Sequence, residues 1–118
     1  MARRQIKLTT TGRLSGEART VTLYAFDVDD EAMVIVGSLG GAPRHPAWVH
    51  NLRAEPRARV AMGREERSVI AREVSGAERE RLWALACEAF PLYATYQRRT
   101  TRRIPLFVLD PAPGASRP

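Results

Sequence analysis

The chain carries Gly37-Ser38-Leu39-Gly40-Gly41-Ala42-Pro43-Arg44-His45-Pro46-Ala47-Trp48-Val49-His50-Asn51-Leu52 directly after the apolar run Met33–Val36. The run predicts a buried strand, and Pro46 suits the first position of a short helix, where a missing N–H is not needed. A strand, a glycine-rich turn and a helix start can together present free backbone N–H groups to an anion. Glycine-rich turns are also common connectors, so an ordinary strand-to-helix connection is the alternative.

Upstream of this stretch, the residue pattern predicts three strands. Apolar and polar residues alternate over 3–11 and again over 19–28, as they do in strands with one buried face. The two segments are separated by a turn at 12–19 that contains two glycines and is longer than a two-residue hairpin loop. The run 32–36 is apolar on both faces, which is typical of a central strand.

Downstream of the stretch, the pattern predicts three more strands. A helix of about two turns at 46–54 stops ahead of the next proline, because the residue before proline avoids helical geometry. Strands are then predicted at 57–62, 69–74 and 104–109. A proline near the start of the last segment marks it as an edge strand or as the point where a strand begins.

Two further helices are predicted between the fifth and sixth strands. Ser75 and Glu78 have the spacing of a capping box, and the helix that they open runs to about residue 90 with an apolar stripe. A shorter helix at 92–99 carries two tyrosines on one face.

Six strands and three helices without a β–α–β rhythm predict a mainly β, α+β fold. The expected architecture is an antiparallel barrel, closed or half-closed, that carries its helices on the outside. Residues 1–111 are expected to form a single domain. Residues 112–118 are rich in Pro, Gly, Ala and Ser and are expected to form a disordered tail.

Composition narrows the functional classes. The 118 residues are 44% hydrophobic and 27% charged, an ordinary balance for a globular domain. A single cysteine, Cys87, excludes an internal disulfide, and one cysteine with His45 and His50 cannot form a zinc cluster. The sequence shows neither a signal peptide nor a membrane-length apolar run, so a soluble, cytoplasmic protein is the default expectation.

The net charge of +6 comes almost entirely from arginine, since eighteen of the nineteen basic residues are arginine. The arginine guanidinium is a planar fork of donors that suits phosphate and carboxylate groups. Three explanations stay open at this point: a nucleic-acid surface, a pocket for a small polyanion, and a compositional bias toward arginine.

Two groups of residues are candidates for a binding site. Arg13 and Arg19 flank one glycine turn and Arg44 lies in the other, so these arginines converge if both turns meet at one mouth of a barrel. A cluster of hydroxyls beside such a site could hydrogen-bond a carbonyl or nitro oxygen, although tyrosines at this spacing also serve as core filler. The candidate hydroxyls belong to Tyr24, Ser38, Tyr93 and Tyr96.

The sequence resembles the deazaflavin-dependent nitroreductase and quinone reductase family of actinobacteria, which uses coenzyme F420. Three motifs carry the resemblance, which extends over residues 6 to about 111. They are Leu8-Thr9-Thr10-Thr11-Gly12-Arg13-Leu14-Ser15-Gly16 with Arg19, Gly40-Gly41-Ala42-Pro43-Arg44-His45-Pro46-Ala47-Trp48 with Asn51-Leu52, and Phe90-Pro91-Leu92-Tyr93-Ala94-Thr95-Tyr96-Gln97 with Thr101, Ile104 and Pro105. The chain departs from residues common in the family at Leu14, Leu39 and Phe90.

The resemblance implies a six-stranded antiparallel split β-barrel with peripheral helices that binds F420, a coenzyme with an anionic phosphate and glutamate tail. It implies hydride transfer from the reduced coenzyme to an electron-poor quinone, enone or nitro compound. The residues implied to line the acceptor pocket are Tyr24, Ser38, Tyr93 and Tyr96. The residues implied to bind or support the coenzyme are Arg13, Arg19, Thr22, Leu23, Gly37, Ser38, Gly40, Gly41, Ala42, Pro43, Arg44, Trp48 and Asn51.

Rival functions differ in what the barrel would hold. One alternative is a binder of F420, haem or lipid without turnover, and another is a reductase that uses flavin mononucleotide. A nucleic-acid-binding barrel is disfavoured, because the basic residues are dispersed and no aromatic platform accompanies them. We therefore expect a small-molecule acceptor and no nucleic-acid partner, a monomer or homodimer, no integral membrane segment and at most peripheral association with a membrane.

Overall fold

The computed structural model describes residues 3–29 and 31–113. Three helices and a 3₁₀ turn at Leu39–Gly41 accompany six strands. The helices are α1 Ala47–Ala54, α2 Gly76–Ala89 and α3 Leu92–Arg98. The strands are β1 Arg3–Thr11, β2 Ala18–Asp27, β3 Met33–Val36, β4 Arg57–Met62, β5 Glu65–Glu73 and β6 Leu106–Pro111.

The strands close into a barrel in the order β1-β2-β3-β6-β5-β4, and every neighbouring pair is antiparallel. This confirms the predicted six-stranded antiparallel barrel with three helices, although α1 does not lie on the outside as expected. The contact between β2 and β3 is short, since only Phe26 and Asp27 pair with Val34 and Met33. The rest of β2 has no partner in β3, so the barrel is closed by only two residue pairs on that side.

The barrel interior is filled by alternate residues of its strands, as the two-residue period of a strand requires. Leu8, Ile35 and Val60 are fully buried there. Helix α1 inserts Trp48 and Leu52 into the same cluster. The helix therefore packs into the barrel core and is not a surface connector.

A second core lies between the outer face of the barrel and the helices α2 and α3. Phe26 and Val34 from the strands pack there with Leu82 and Tyr93 from the helices. Strand β3 is consequently buried on both faces, as its continuous apolar run predicts. Strand β6 pairs with β3 on one side and β5 on the other, so its proline precedes an internal strand and does not mark an edge.

Three local predictions are wrong in detail. Strand β6 runs over Leu106–Pro111, two residues later than the predicted 104–109. Strand β5 begins at Glu65, four residues earlier than predicted, because its polar first half pairs fully with β4. The predicted capping box does not form. The Ser75 side chain makes no cap hydrogen bond, and the Glu78 carboxylate instead accepts hydrogen bonds from Arg72 at 2.9 and 3.0 Å.

The predicted tail at 112–118 is described only at its first two residues. The backbone N–H of Ala112 donates to the Ser68 carbonyl at 3.0 Å and extends the pairing of β6 with β5 by one bond. The rest of the predicted tail, 114–118, lies outside the described residues.

Candidate functional site

A groove of about 610 Å³ opens between the β1–β2 turn and helix α1. Among the described residues that line it, three are arginines, two are histidines and none is acidic. The groove is therefore electropositive over a partly apolar floor. Its lining comprises Thr10, Gly12, Arg13, Leu14, Ser15, Arg19, Thr20, Val21, Arg44, His45, Ala47, Trp48, His50 and Asn51.

Asn51 joins the two walls of the groove. Its side-chain amide donates to the Thr10 hydroxyl at 3.1 Å, and its Oδ1 accepts the backbone N–H of Arg13 at 3.0 Å. The Asn51 side chain is buried, so these bonds would be costly to lose. The sequence motif implied a supporting role for Asn51, and the structure shows which groups it holds.

The β1–β2 turn owes its shape to its glycines. The Gly12 N–H donates to the Glu17 carbonyl and the Gly16 N–H donates to the Gly12 carbonyl, both at 2.8 Å. A Cβ at Gly12 would lie 2.8 Å from the Ser15 hydroxyl, which is closer than real contacts allow. A compact turn results, and it holds Arg13 and Arg19 at the same groove.

Few carboxylates neutralise the positive charge of the groove arginines. Arg13 and Arg44 form no ion pair within residues 3–29 and 31–113. Arg19 makes one long contact of 3.5 Å with Glu17, and both side chains are exposed. Such an exposed pair is weak, so an anionic ligand could compete for Arg19.

Many arginines elsewhere on the barrel face a carboxylate. These ion pairs offset part of the high arginine content and distinguish those positions from the groove. The pairs are Arg4–Asp27, Arg53–Glu73, Arg57–Glu55, Arg59–Glu66, Arg67–Glu65, Arg72–Glu78, Arg72–Asp110 and Arg103–Glu80.

The apolar part of the groove comes from Trp48, Val21 and Leu14. The Trp48 ring is 8% exposed and packs edge-on against Phe107, with the ring centroids 5.9 Å apart. Its position is thus fixed by the barrel core. Leu14, in contrast, is 86% exposed on the β1–β2 turn.

Arg102 holds the glycine-rich loop together, and the sequence analysis missed it. Its guanidinium donates to the carbonyls of Ala42, Gly37 and Ser38 at 2.8, 3.1 and 2.7 Å. Its Nη1 also lies 2.8 Å from His45 Nδ1. The partners are between 57 and 65 residues away in sequence, so no local pattern could reveal them.

Arg102 also bears on the charge state of His45. Burial lowers the pKa of the His45 imidazole below its ordinary value, and the nearby charges of Arg53, Arg102 and His50 lower it further. The carboxylate of Glu73 acts in the opposite direction and is the smallest of these influences. His45 is therefore neutral at pH 7.

The expected amide cradle at 37–43 does not line the groove, although Arg44 does. Three of its N–H groups are already engaged, since Gly37 donates to the Pro105 carbonyl and Gly41 and Ala42 close the 3₁₀ turn. Thr22 and Leu23 likewise follow Val21, the last β2 residue that lines the groove. The groove lining thus brings together Arg13, Arg19, Arg44, Trp48 and Asn51. The remaining predicted coenzyme contacts lie outside that lining.

The three predicted tyrosines gather in a separate aromatic cluster around Phe90 and Arg3. The Arg3 guanidinium lies 4.3 Å from the Tyr24 ring centroid and 5.3 Å from that of Phe90. The Phe90 ring lies 4.8 Å from Tyr93 and 6.3 Å from Tyr96. Tyr24 is 45% exposed, so the cluster reaches the surface at the rim of β2.

The hydroxyls of this region differ in environment. Burial raises the pKa of Tyr93 to about 12, so its phenol keeps its proton at neutral pH. Ser38 is buried at the start of the 3₁₀ turn and makes no side-chain cap bond there. Each of these hydroxyls carries one proton that it can donate in a hydrogen bond.

The 3₁₀ turn connects the aromatic cluster to the groove. A Cβ at Gly41 would lie 2.7 Å from the Tyr96 carbonyl oxygen, and Gly41 has a φ of +84°. The Arg99 guanidinium lies 5.6 Å from the Tyr96 ring centroid and donates to the Gly40 carbonyl at 3.5 Å. The loop that Arg102 holds on the groove side therefore packs directly against helix α3.

Comparison with known proteins identifies the family. A family model described as F420H(2)-dependent quinone reductase matches residues 1–111. The F420H(2)-dependent quinone reductase Rv1261c of Mycobacterium tuberculosis is 42% identical over 106 residues, covering 86% of this chain and 70% of that protein. This chain belongs to the F420H2-dependent quinone reductase family, whose members are oxidoreductases that use coenzyme F420.

Solved structures agree with this assignment. The F420-H2 dependent reductase FDR-A superposes with a TM-score of 0.80 at 41% identity, covering 90% of this chain and 93% of that one. A domain-swapped dimer gives a TM-score of 0.81 at 41% identity, covering 90% and 79% of the two chains. HutZ, the haem storage protein from Vibrio cholerae, gives 0.70 at 14% identity, with 93% and 82% coverage, which shows the shared fold alone.

The helices of the described segments are all short or polar. None within residues 3–29 and 31–113 combines the length and apolarity that a membrane-spanning helix needs.

Proposed function

We propose that this chain reduces quinone-type acceptors with F420H2, and that the arginine-lined groove binds the anionic part of the coenzyme. The observation that carries the proposal is the convergence of Arg13, Arg19 and Arg44 on one groove whose described lining has no carboxylate. Guanidinium groups match phosphate and carboxylate oxygens in both charge and geometry. The donor set therefore fits the phosphate and glutamate tail of F420.

The planar part of the coenzyme needs apolar surface next to the tail site. Trp48 and Val21 supply such surface in the groove. Thr22 and Leu23 stand on β2 between Val21 of the groove and Tyr24 of the aromatic cluster. The loop 37–43 contacts Arg102, which also contacts His45, and helix α3. We assign these residues to the ring. This assignment accounts for the family motifs that do not line the groove.

The acceptor is assigned to the hydroxyl groups beside that loop, on Tyr24, Ser38, Tyr93 and Tyr96. When bound, the reduced deazaflavin supplies the hydride. Negative charge then develops on the acceptor oxygen, and hydroxyl donors fixed by the protein stabilise that charge. Tyr93 serves as a hydrogen-bond donor rather than a proton source, because burial raises its pKa to about 12.

Quinones are the preferred acceptors in this proposal, because the matching family is described by quinone reduction. Enones and nitro compounds present a similar oxygen to the same donors and are secondary candidates. The protein would act in the cytoplasm as a monomer or a homodimer. Cell fractionation and light scattering test those two points.

The deciding experiment has a binding stage and a turnover stage. The purified chain is titrated with F420 while the coenzyme fluorescence is recorded, and then mixed with F420H2 and menadione while absorbance is followed. The proposal expects saturable quenching and quinone-dependent oxidation of F420H2. Binding without oxidation by any quinone, enone or nitroaromatic would indicate a coenzyme carrier, and absence of binding would refute the proposal.

A further inference from the structure

The contact between Arg102 and His45 fixes the tautomer of the histidine. A guanidinium has only hydrogen-bond donors, so His45 Nδ1 must be the acceptor in the 2.8 Å contact with Arg102 Nη1. An imidazole whose Nδ1 accepts a hydrogen bond and which is neutral carries its proton on Nε2. The ring therefore has one defined donor, and that donor is Nε2–H.

Arg102 is itself held in place. Besides His45, it donates to three carbonyls of the glycine-rich loop. The side chain of Gln97 in helix α3 donates to the Arg102 carbonyl at 2.8 Å and accepts the N–H of Ile104 at 2.9 Å. Arg102 cannot follow a turning His45 ring without breaking these bonds, so a turned ring would lose its hydrogen bond to Arg102.

The donor of His45 is available to a ligand. His45 contributes to the groove lining beside Arg44. No described residue accepts a hydrogen bond from His45 Nε2, and no buried side-chain nitrogen or oxygen in the described residues lacks a partner. It follows that Nε2 is reached by solvent.

We infer that His45 is a further coenzyme-binding residue, which Arg102 braces at Nδ1 so that Nε2–H donates to an oxygen atom of the ligand in the groove. The inference rests on the proposed function. Arginines attract the negative charge, whereas a neutral donor in a fixed orientation selects where the oxygen sits. The accepting oxygen belongs either to the phosphate and tail of F420 or to its ring.

Ring-nitrogen spectroscopy tests the tautomer directly. The chain has two histidines, so a long-range ¹H–¹⁵N spectrum at pH 7 contains two imidazole systems, and His50→Gln assigns them. We expect His45 to be neutral and protonated at Nε2, and its Nε2 signal to move when F420 is added. An Nδ1–H tautomer, a charged ring, or an Nε2 signal unmoved at saturating F420 would overturn the inference.

Two titrations locate the accepting oxygen. A shift of the Nε2 signal with F420 and also with the deazaflavin that lacks phosphate and tail would assign the oxygen to the ring. A shift with F420 alone would assign it to the phosphate or the tail. Either result supports the role of His45.

Affinity measurements provide the second test. His45→Phe removes the donor and is expected to weaken F420 binding about tenfold, which is typical for a lost hydrogen bond to a charged group. His45→Gln keeps a donor and should recover most of that affinity. Ser75→Ala is the control, because it removes an exposed neutral donor that makes no cap hydrogen bond before α2 and lies outside the groove lining. Its affinity for F420 should stay within about twofold of wild type.

The outcomes separate this inference from the proposed function. Wild-type protein that binds no F420 refutes the proposed function, whereas the tautomer measurement on free protein is still valid. Wild-type binding with His45→Phe unchanged, or with Ser75→Ala equally impaired, refutes only the role of His45. If His45→Phe fails to fold, the spectra of the wild-type protein decide.

Discussion

The side-chain amide of Asn51 donates to the hydroxyl of Thr10 across 3.1 Å, from helix α1 to strand β1. The same amide group accepts the N–H of the next turn at Arg13. One buried side chain thus sets the distance between the two walls of the groove.

Asn51→Ala should destabilise the fold and weaken the groove together. It leaves a buried hydroxyl and a backbone N–H without their partners, which costs about 1–3 kcal/mol for each unsatisfied group. Urea unfolding measures the loss, and F420 titration measures the change in affinity. Thr10→Val removes only one of the two bonds and should cost less than Asn51→Ala. Equal stability of Asn51→Ala and wild type would contradict the role of the amide.

Neutralising the groove arginines should reduce coenzyme affinity without affecting the fold. Arg13→Gln and Arg44→Gln should each weaken F420 binding about tenfold by removing a charge-assisted hydrogen bond. Glu17→Gln should strengthen binding, because it releases Arg19 from its 3.5 Å contact. Added salt should reduce the differences among these variants by screening.

Arg64→Gln is the matched control for these charge changes. Arg64 is exposed in the turn between β4 and β5, so its replacement removes one positive charge away from the groove. If Arg64→Gln weakens F420 binding as much as Arg13→Gln does, net charge rather than the groove accounts for the affinity.

Alanine substitutions at the two adjacent glycines of the 3₁₀ turn should lower the stability of the fold by different amounts. Gly40 has a φ of +62°, and a Cβ added there would meet open space. Gly41 has a φ of +84°, and a Cβ added there would lie 2.7 Å from the Tyr96 carbonyl oxygen. Gly40→Ala should cost about 1–2 kcal/mol from the left-handed backbone alone. Gly41→Ala should cost clearly more in urea unfolding, because α3 must also shift. Equal losses of unfolding free energy would show that α3 shifts away from residue 41 at little cost.

Alkaline destabilisation should depend on Tyr93. Burial raises its pKa from 10.0 to about 12, so between these values the unfolded chain loses the proton while the folded chain keeps it. Stability from this group is complete below pH 10 and is lost as pH rises toward 12, by about 2–3 kcal/mol in total. Tyr93→Phe should therefore show a shallower decline in unfolding free energy above pH 10.

Leu82→Val is the comparison for this pH series, because it perturbs the core that contains Tyr93 without removing a titratable group. Its unfolding free energy should decline with pH in parallel with that of the wild type. A Tyr93→Phe curve parallel to the wild type would mean that the Tyr93 phenol titrates alike in the folded and unfolded chain.

Loss of a hydroxyl that hydrogen-bonds the electron acceptor should lower turnover. For the two tyrosines, which lie outside the loop assigned to the coenzyme ring, coenzyme binding should stay intact. An oxyanion donor typically contributes about 100-fold or more to the rate. Ser38→Ala, Tyr24→Phe and Tyr96→Phe are therefore compared in kcat with menadione and in Kd for F420. At least one should lose about 100-fold in kcat with an unchanged Kd. Three variants with wild-type turnover would exclude these hydroxyls from the chemistry.

Local sequence patterns predicted the strands well where one face is buried. Alternation placed β1 at its exact bounds and β2 within one residue, and the continuous apolar run marked β3 as central. The polar start of β5 carries no such period, since residues such as Glu65 and Glu66 owe their place to pairing with β4. Ser75 and Glu78 had the spacing of a cap, but Arg72 competes for the carboxylate.

The candidate site was predictable in part for the same reason. Arg13 and Arg44 belong to motifs that are contiguous in sequence, and the barrel brings those motifs together. Arg102 stands outside any pattern, because its partners lie in a loop about sixty residues earlier. The placement of the tyrosines around Arg3 likewise depends on tertiary packing of α3 against β1 and β2.

The last strand in sequence, β6, lies between β3 and β5. During synthesis on the ribosome, β3 and β5 therefore have to wait for residues 106–111 before they gain a shared neighbour. The nascent chain can form the β1–β2 hairpin early, but closure of the barrel has to await synthesis of the sixth strand. Premature termination before residue 106 would remove β6, which joins β3 to β5, and the groove would lose the barrel that brings its arginines together.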